Sequence, residues 1–375
     1  NLMIGFAQKG VFVVPRNRNE IGYYSFSPNE NRLNATSVTS IAYDNSAFWV
    51  GTDGCGVFKL EIKGRNQKIT PISAGLSSSL IQTIAIDKRN TVWVGSYGGG
   101  LQYLQGNQFV TPDWLRFLSS SYVMVLQYYP QKDLLFVGTN GQGVFVVDLA
   151  NKSFTNLFSS MSFNGWIYSL SSDDYGTLWI GTAQGIFSYN IETKKGQEVK
   201  FPKSTLLMPQ CIAIMNKTLL IGTNQGLISY NTQNGESFDV LPNENVKSIE
   251  VADKDIWLTT SKSVMRIDKQ TMKSYSYSSF EGYYIGEFHR NAHFMTPSHD
   301  ILFGGDNGII KFNAIFMRVP KKLIYDISFT SVKINGAPVT YLPYKNQNVM
   351  NANVIALSEL SLEHDQKSLD RKSVV

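Results

Sequence analysis

The stretch Trp49-Val50-Gly51-Thr52-Asp53-Gly54 decides the fold, because it recurs along the whole chain. It returns as Trp93-Val94-Gly95-Ser96, Phe136-Val137-Gly138-Thr139, Trp179-Ile180-Gly181-Thr182 and Leu220-Ile221-Gly222-Thr223. A degraded copy, Trp257-Leu258-Thr259-Thr260, is followed by Leu302-Phe303-Gly304-Gly305, and Met3-Ile4-Gly5-Phe6 opens the series. The third positions fall at 5, 51, 95, 138, 181, 222, 259 and 304, giving spacings of 46, 44, 43, 43, 41, 37 and 45 residues. Eight copies at that regularity mark a repeat architecture built from one supersecondary unit.

Each unit has the same internal grammar. An alternating strand comes first, as in Val38-Thr39-Ser40-Ile41-Ala42-Tyr43, then a polar turn such as Asp44-Asn45-Ser46 or Asp173-Asp174-Tyr175-Gly176. The Trp-Val-Gly-Thr strand follows, then a Gly-containing turn, a third strand such as Gly143-Val144-Phe145-Val146-Val147, and a more polar fourth. Apolar/polar alternation bounded by turn residues is the signal of a strand, and no 3.6-residue apolar stripe competes with it. Four antiparallel strands per unit make the blade of an all-β propeller, whose blades must stack around an axis to bury their faces. Trp49, Trp93, Trp179 and Trp257 share one repeat position and are expected to pack between blades, with Gly51, Gly95, Gly138, Gly181, Gly222 and Gly304 as structural partners. A closed ring of seven blades is expected over 34–320, with eight blades as the alternative. Residues 1–33 would then finish a blade of an upstream propeller, and 321–375 would begin a truncated immunoglobulin-like sandwich. The stretch Gln366-Lys367-Ser368-Leu369-Asp370-Arg371 does not read as strand.

Composition agrees with a turn-rich β protein: 13% of the 375 residues are aromatic, 17% are charged, and 30 are glycine. A net charge of +5 without a dense Lys/Arg block argues against nucleic-acid binding. There is no run of ~18 apolar residues long enough to span a membrane, and no stretch reads as a signal peptide, which carries no weight about location in a fragment. The chain starts without Met inside a repeat and stops abruptly at Ser373-Val374-Val375, so it is expected to be a fragment. Cys55 and Cys211 lie in different repeats and read as separate thiols.

Trp93-Val94-Gly95-Ser96-Tyr97-Gly98-Gly99-Gly100-Leu101-Gln102-Tyr103 and Asp174-Tyr175-Gly176-Thr177-Leu178-Trp179-Ile180-Gly181-Thr182 resemble the two-component regulator propeller repeat of hybrid two-component sensors. The run Leu302 to Asn313 resembles the last repeat of that family, and Ile327-Ser328-Phe329-Thr330-Ser331-Val332-Lys333-Ile334-Asn335-Gly336 resembles the opening of its Y_Y_Y domain. The resemblance implies the periplasmic, glycan-sensing ectodomain of a Bacteroidetes-type inner-membrane sensor that signals to genes of polysaccharide use. A histidine kinase would lie downstream, together with the membrane anchor. The region itself would be non-catalytic, without cofactor or metal, and the full-length protein could dimerise.

If the first strand of each blade runs from the top face to the bottom, the second-to-third turns and the segments before each inner strand meet on the top face. That places Tyr97, Tyr122, Asn140, Gln142, Asn164, Trp166, Gln184, Asn224, Tyr283 and Tyr284 as candidate ligand residues. Amides that match hydroxyls, with aromatic plates for C–H surface, suit an oligosaccharide. Asn, Gly and Asp are equally what tight hairpins require. Trp114, beside Arg116 in a long connection, could face a partner or ligand. His289 and His293 are spaced for a metal only on a helix, and on a strand they lie roughly 13 Å apart. Ser172 to Trp179 is close to a sialidase Asp-box, which is a structural turn. The glycines at 98–100 lack the strand-to-helix context of a phosphate loop. A propeller lyase or glycosidase would need paired carboxylates that the sequence does not pair, and a protein-interaction scaffold is the third class.

Overall fold

The computed structural model describes residues 2–6, 10–14, 21–26, 36–64, 66–157, 165–201, 208–277, 285–319, 328–334, 337–339 and 369–374. The chain divides into a first unit, Asn1–Val319, and a second, Pro320–Val375. The first unit is a propeller of seven four-stranded antiparallel sheets. Blade one spans 38–72, blade two 81–110, blade three 123–156, blade four 167–198, blade five 209–242 and blade six 248–277; in each the strands lie in chain order. The inner strands are Val38–Tyr43, Ile81–Ile86, Val123–Tyr129, Ile167–Ser172, Pro209–Met215, Ser248–Val251 and, in blade seven, Phe288–Met295. Each touches the next, and the last returns against the first, so the ring closes.

The second strand of a blade is buried throughout, as in Phe48–Thr52 and Val92–Ser96. It lies mid-sheet, so neighbouring blades cover both its faces. The repeated tryptophans pack between blades as expected: Trp49 with Ile81 and Ile84, Trp93 with Val123 and Leu126, Trp179 with Leu219 and Ile221, and Trp257 with Ile301 and Phe303. The repeated glycine explains how closely blades approach. A Cβ on Gly51 would lie 2.7 Å from Ile81 Cγ2, one on Gly95 2.3 Å from Val123 Cγ1, and one on Gly304 2.6 Å from Val38 Cγ1. In the degraded copy Thr259 takes this place, and its hydroxyl meets that of Ser248 at 2.6 Å.

Blade seven corrects the expected boundary at residue 34. Its own strands end at Gly308–Asn313, and the fourth is Gly22–Tyr24 from the start of the chain, paired Gly22↔Lys311, Tyr23↔Ile310 and Tyr24↔Ile309. Three consecutive strands leave an unpaired edge, and the N-terminal segment covers it. Phe26, just beyond, is fully buried against Phe58 of blade one, with ring centroids 5.6 Å apart. Leu2–Phe6 and Gly10–Val14 form a two-stranded sheet of their own. In the second unit Ser328–Ile334 pairs with Ala337–Val339 and with Leu369–Val374. The last of these is strand where the local sequence reads as none, because a partner distant in sequence supplies its ladder.

Candidate functional site

Hydrogen bonds tie the second-to-third hairpins to the segments before the inner strands. Asp53 N–H donates to Ser37 O at 2.9 Å, Tyr97 N–H to Leu80 O at 2.9 Å, Asn140 N–H to Tyr122 O at 2.9 Å, Ala183 N–H to Trp166 O at 3.1 Å and Asp306 N–H to Glu287 O at 3.0 Å. These groups therefore share one rim of the ring, as the strand directions required.

At that rim the inner strands carry a bulge. Register shifts fall between Val38 and Ser40, Ile81 and Thr83, Val123 and Val125, Ile167 and Ser169, and Pro209 and Cys211. The residue left unpaired is Thr39, Gln82, Met124, Tyr168 or Gln210. A bulge of this kind re-aims one side chain and twists the strand. Here four of the five bulge residues, Thr39, Gln82, Met124 and Tyr168, line a recess of about 90 Å³ together with His289, Arg290 and Asn291. A second cavity of about 460 Å³ lies among the inner strands and is lined by Ser40, Gln127, Ser172, Cys211, Glu250 and His293, among others. Blade seven exaggerates the device. Phe288 pairs with Gly305 but the next pair is His293↔Phe303, so residues 289–292 loop out, with Asn291 at φ 60°.

Aromatic side chains stand on the same rim. Tyr97 and Tyr122, 40% and 42% exposed, pack against each other with ring centroids 4.3 Å apart and planes tilted by 33°. Trp166 is 45% exposed and sits 6.3 Å from Tyr168. The Arg290 guanidinium lies 4.9 Å over the Tyr168 ring, a cation–π geometry. Burial pulls Arg290 below the ordinary arginine value and, with the Arg290 charge nearby, pulls Lys247 below the ordinary lysine value. Burial alone pushes the Cys211 thiol up to about 12, so it is inert.

The sequence-derived candidates separate into three groups. Tyr97, Tyr122 and Trp166 stand exposed at the rim. Asn140, Gln142, Gln184 and Asn224 sit on hairpin tips, where Gln142 Oε1 accepts from Ser121 Oγ at 2.7 Å and the Gln184 N–H donates to Thr182 Oγ1 at 3.1 Å. Asn164, Tyr283 and Tyr284 lie outside the described residues. Tyr168, Gln82, Met124 and Arg290 were not singled out in the sequence. Their signal is faint: each falls just inside an inner strand, and for Gln82, Met124 and Tyr168 the residues on either side belong to the core.

The other conspicuous residues have structural partners. Asp44, Asp87 and Asp173 each accept backbone N–H groups of the following turn and the indole N–H of the repeat tryptophan, at 2.7 Å from Trp49, 3.1 Å from Trp93 and 3.2 Å from Trp179. The Asp-box-like turn is therefore a tie within the blade. His289 Nε2 lies 2.9 Å from Ser37 Oγ and 2.8 Å from Asp306 Oδ1, while His293 Nδ1 lies 2.7 Å from Glu250 Oε1. Each imidazole has its own carboxylate. Trp114 lies in a short 3-10 turn, Asp113–Leu118, and packs on the core shared by blades two and three.

Comparison with known proteins adds two findings. The two-component regulator propeller family model matches residues 75–98 and 161–184, so the chain carries that repeat in blades two and four. Among curated proteins none matches the chain by sequence. The fold is similar to the extracellular domain of the hybrid two component system BT3049 from B. thetaiotaomicron, at 24% identity and a TM-score of 0.73 over 100% of this chain and 51% of that one. It is also similar to that of BT4673 from the same organism, at 17% identity and a TM-score of 0.61 over 97% of this chain and 51% of that one. The WD40 propeller domain of Doa1 shares the architecture at 10% identity, with a TM-score of 0.61 over 78% of this chain and 96% of that one. The chain thus spans about half the length of the two-component ectodomains it resembles.

Proposed function

We propose that this chain, a carrier of two-component regulator propeller repeats, is a ligand-sensing region of a hybrid two-component sensor, and that its ligand is an oligosaccharide taken at the rim of the propeller. The region would act outside the cytoplasm, as the ectodomains it resembles do. The supporting observation is the arc of exposed aromatic faces, Tyr97, Tyr122 and Trp166, beside a polar recess on one rim. Sugar rings present C–H faces that stack on aromatics, and hydroxyls that hydrogen-bond to amides such as Gln82 and Asn291. A non-catalytic role fits the likeness to sensor ectodomains. Signalling follows if the ligand binds one arrangement of the whole receptor more tightly than another, since a ligand shifts an equilibrium only by its differential affinity.

Calorimetric titration of the chain with a panel of neutral and acidic oligosaccharides tests this reading. Binding is expected to weaken at least tenfold in Trp166→Ala and in Tyr122→Ala, with the melting temperature unchanged. Saccharide binding that survives both substitutions would move the site elsewhere. A panel without heat, beside a peptide or metabolite that binds, would remove the carbohydrate assignment.

A further inference from the structure

Arg290 is delivered to the recess by the looped-out residues 289–292 of blade seven. One face of its guanidinium rests over Tyr168 at 4.9 Å. Among the described residues it forms no hydrogen bond or ion pair. Lys247, just before the inner strand of blade six, is near enough to feel its charge and likewise has no ion-pair partner among the described residues. The neighbouring acidic groups do not neutralise them. Asp306 is engaged by His289 and by the Glu287 N–H, and Glu250 by His293. Glu287 acts on Lys247 from a distance and is itself exposed.

Charges withdrawn from water are ordinarily paired. A buried cation beside a recess, with no counter-charge among the described residues, is a standing electrostatic cost, which an incoming anion would relieve. A guanidinium with one face on an aromatic ring keeps its N–H edge for two parallel hydrogen bonds, the geometry that matches a carboxylate or a sulfate. The recess, about 90 Å³, has room for one such group. Resting on the reading of the rim as a saccharide site, we propose that this recess is an anion subsite, in which Arg290, seated on Tyr168, holds a carboxylate or sulfate ester carried by the sugar. The saccharide is therefore acidic, with its ring on the aromatic arc and its charged group in the recess.

The test titrates the full chain with trigalacturonate, a chondroitin 6-sulfate disaccharide, maltotriose, free galacturonate and inorganic sulfate. At least one acidic saccharide is expected to bind tenfold or more tightly than maltotriose, with the better of the two reporting carboxylate or sulfate ester. Arg290→Gln should abolish that preference while melting like the parent, and Arg290→Lys should restore part of it. Equal affinity for acidic and neutral sugars, or an acidic preference untouched by Arg290→Gln, overturns the subsite. So does silence from every anion, inorganic sulfate included. The two readings fail separately. Anion binding lost in Arg290→Gln without any oligosaccharide binding keeps the subsite and removes the saccharide. Maltotriose binding that depends on Trp166 and shows no preference for acid keeps the saccharide and removes the subsite.

Discussion

Single side chains explain why the repeat tolerates some losses and not others. In blades one, two and four an aspartate closes the first turn and receives the indole N–H of the following tryptophan. In blade six Ala252 stands where that aspartate would be, and the Trp257 Nε1 is the one buried side-chain polar atom without a partner among the described residues. An unsatisfied buried donor costs about 1–3 kcal/mol. Asp87→Ala should therefore lower stability by about 1–3 kcal/mol, because it strands the Trp93 indole and two turn N–H groups. Ala252→Asp should raise it by about 1 kcal/mol. Urea unfolding of both variants checks the pair, and a stability loss in Ala252→Asp would show that the acceptor is not what the indole lacks.

Strands are where the repeat becomes a ring. The inner strand is split by its bulge, so the core-facing residues stay in register while one residue turns toward the recess. The second strand is limited by the next blade, which leaves no room for a side chain at the repeated glycine. Gly95→Ala would push a methyl to 2.3 Å from Val123 Cγ1 and is expected to cost about 1–3 kcal/mol by overpacking. Gly54, where a Cβ meets nothing within 4 Å, lies at φ 99°, so its substitution by alanine strains the turn without touching a neighbour. Guanidinium-chloride melts of Gly95→Ala and the double variant Gly95→Ala/Val123→Ala distinguish the causes. Packing predicts recovery in the double variant, whereas a backbone effect predicts none.

For the whole propeller, closure depends on two distant stretches of chain meeting in blade seven. Gly22–Tyr24 completes its sheet, and Phe26 carries the joint into the core of blade one. Phe26→Ala should cost about 3–5 kcal/mol, the usual price of emptying a large buried aromatic site. Hydrogen exchange should rise first in Gly308–Asn313, the strand that the N-terminal segment covers. Uniform loss of protection across all seven blades would mean that the ring has no weakest joint.

The amino-acid sequence by itself determined the repeat, the four-strand blade, the interblade tryptophans and the rim on which the hairpins gather, because each follows from short-range periodicity and turn chemistry. It also placed Tyr97 in a second-to-third hairpin, and Tyr122 and Trp166 in the segments entering inner strands, all toward one rim. The borrowed strand of blade seven was decided only in three dimensions, for its pairing spans most of the chain and no local signal encodes it. The same holds for Arg290. Within the sequence it is one basic residue between two histidines, and only the looped-out strand and the facing Tyr168 place its charge at the mouth of a recess, with nothing among the described residues to balance it.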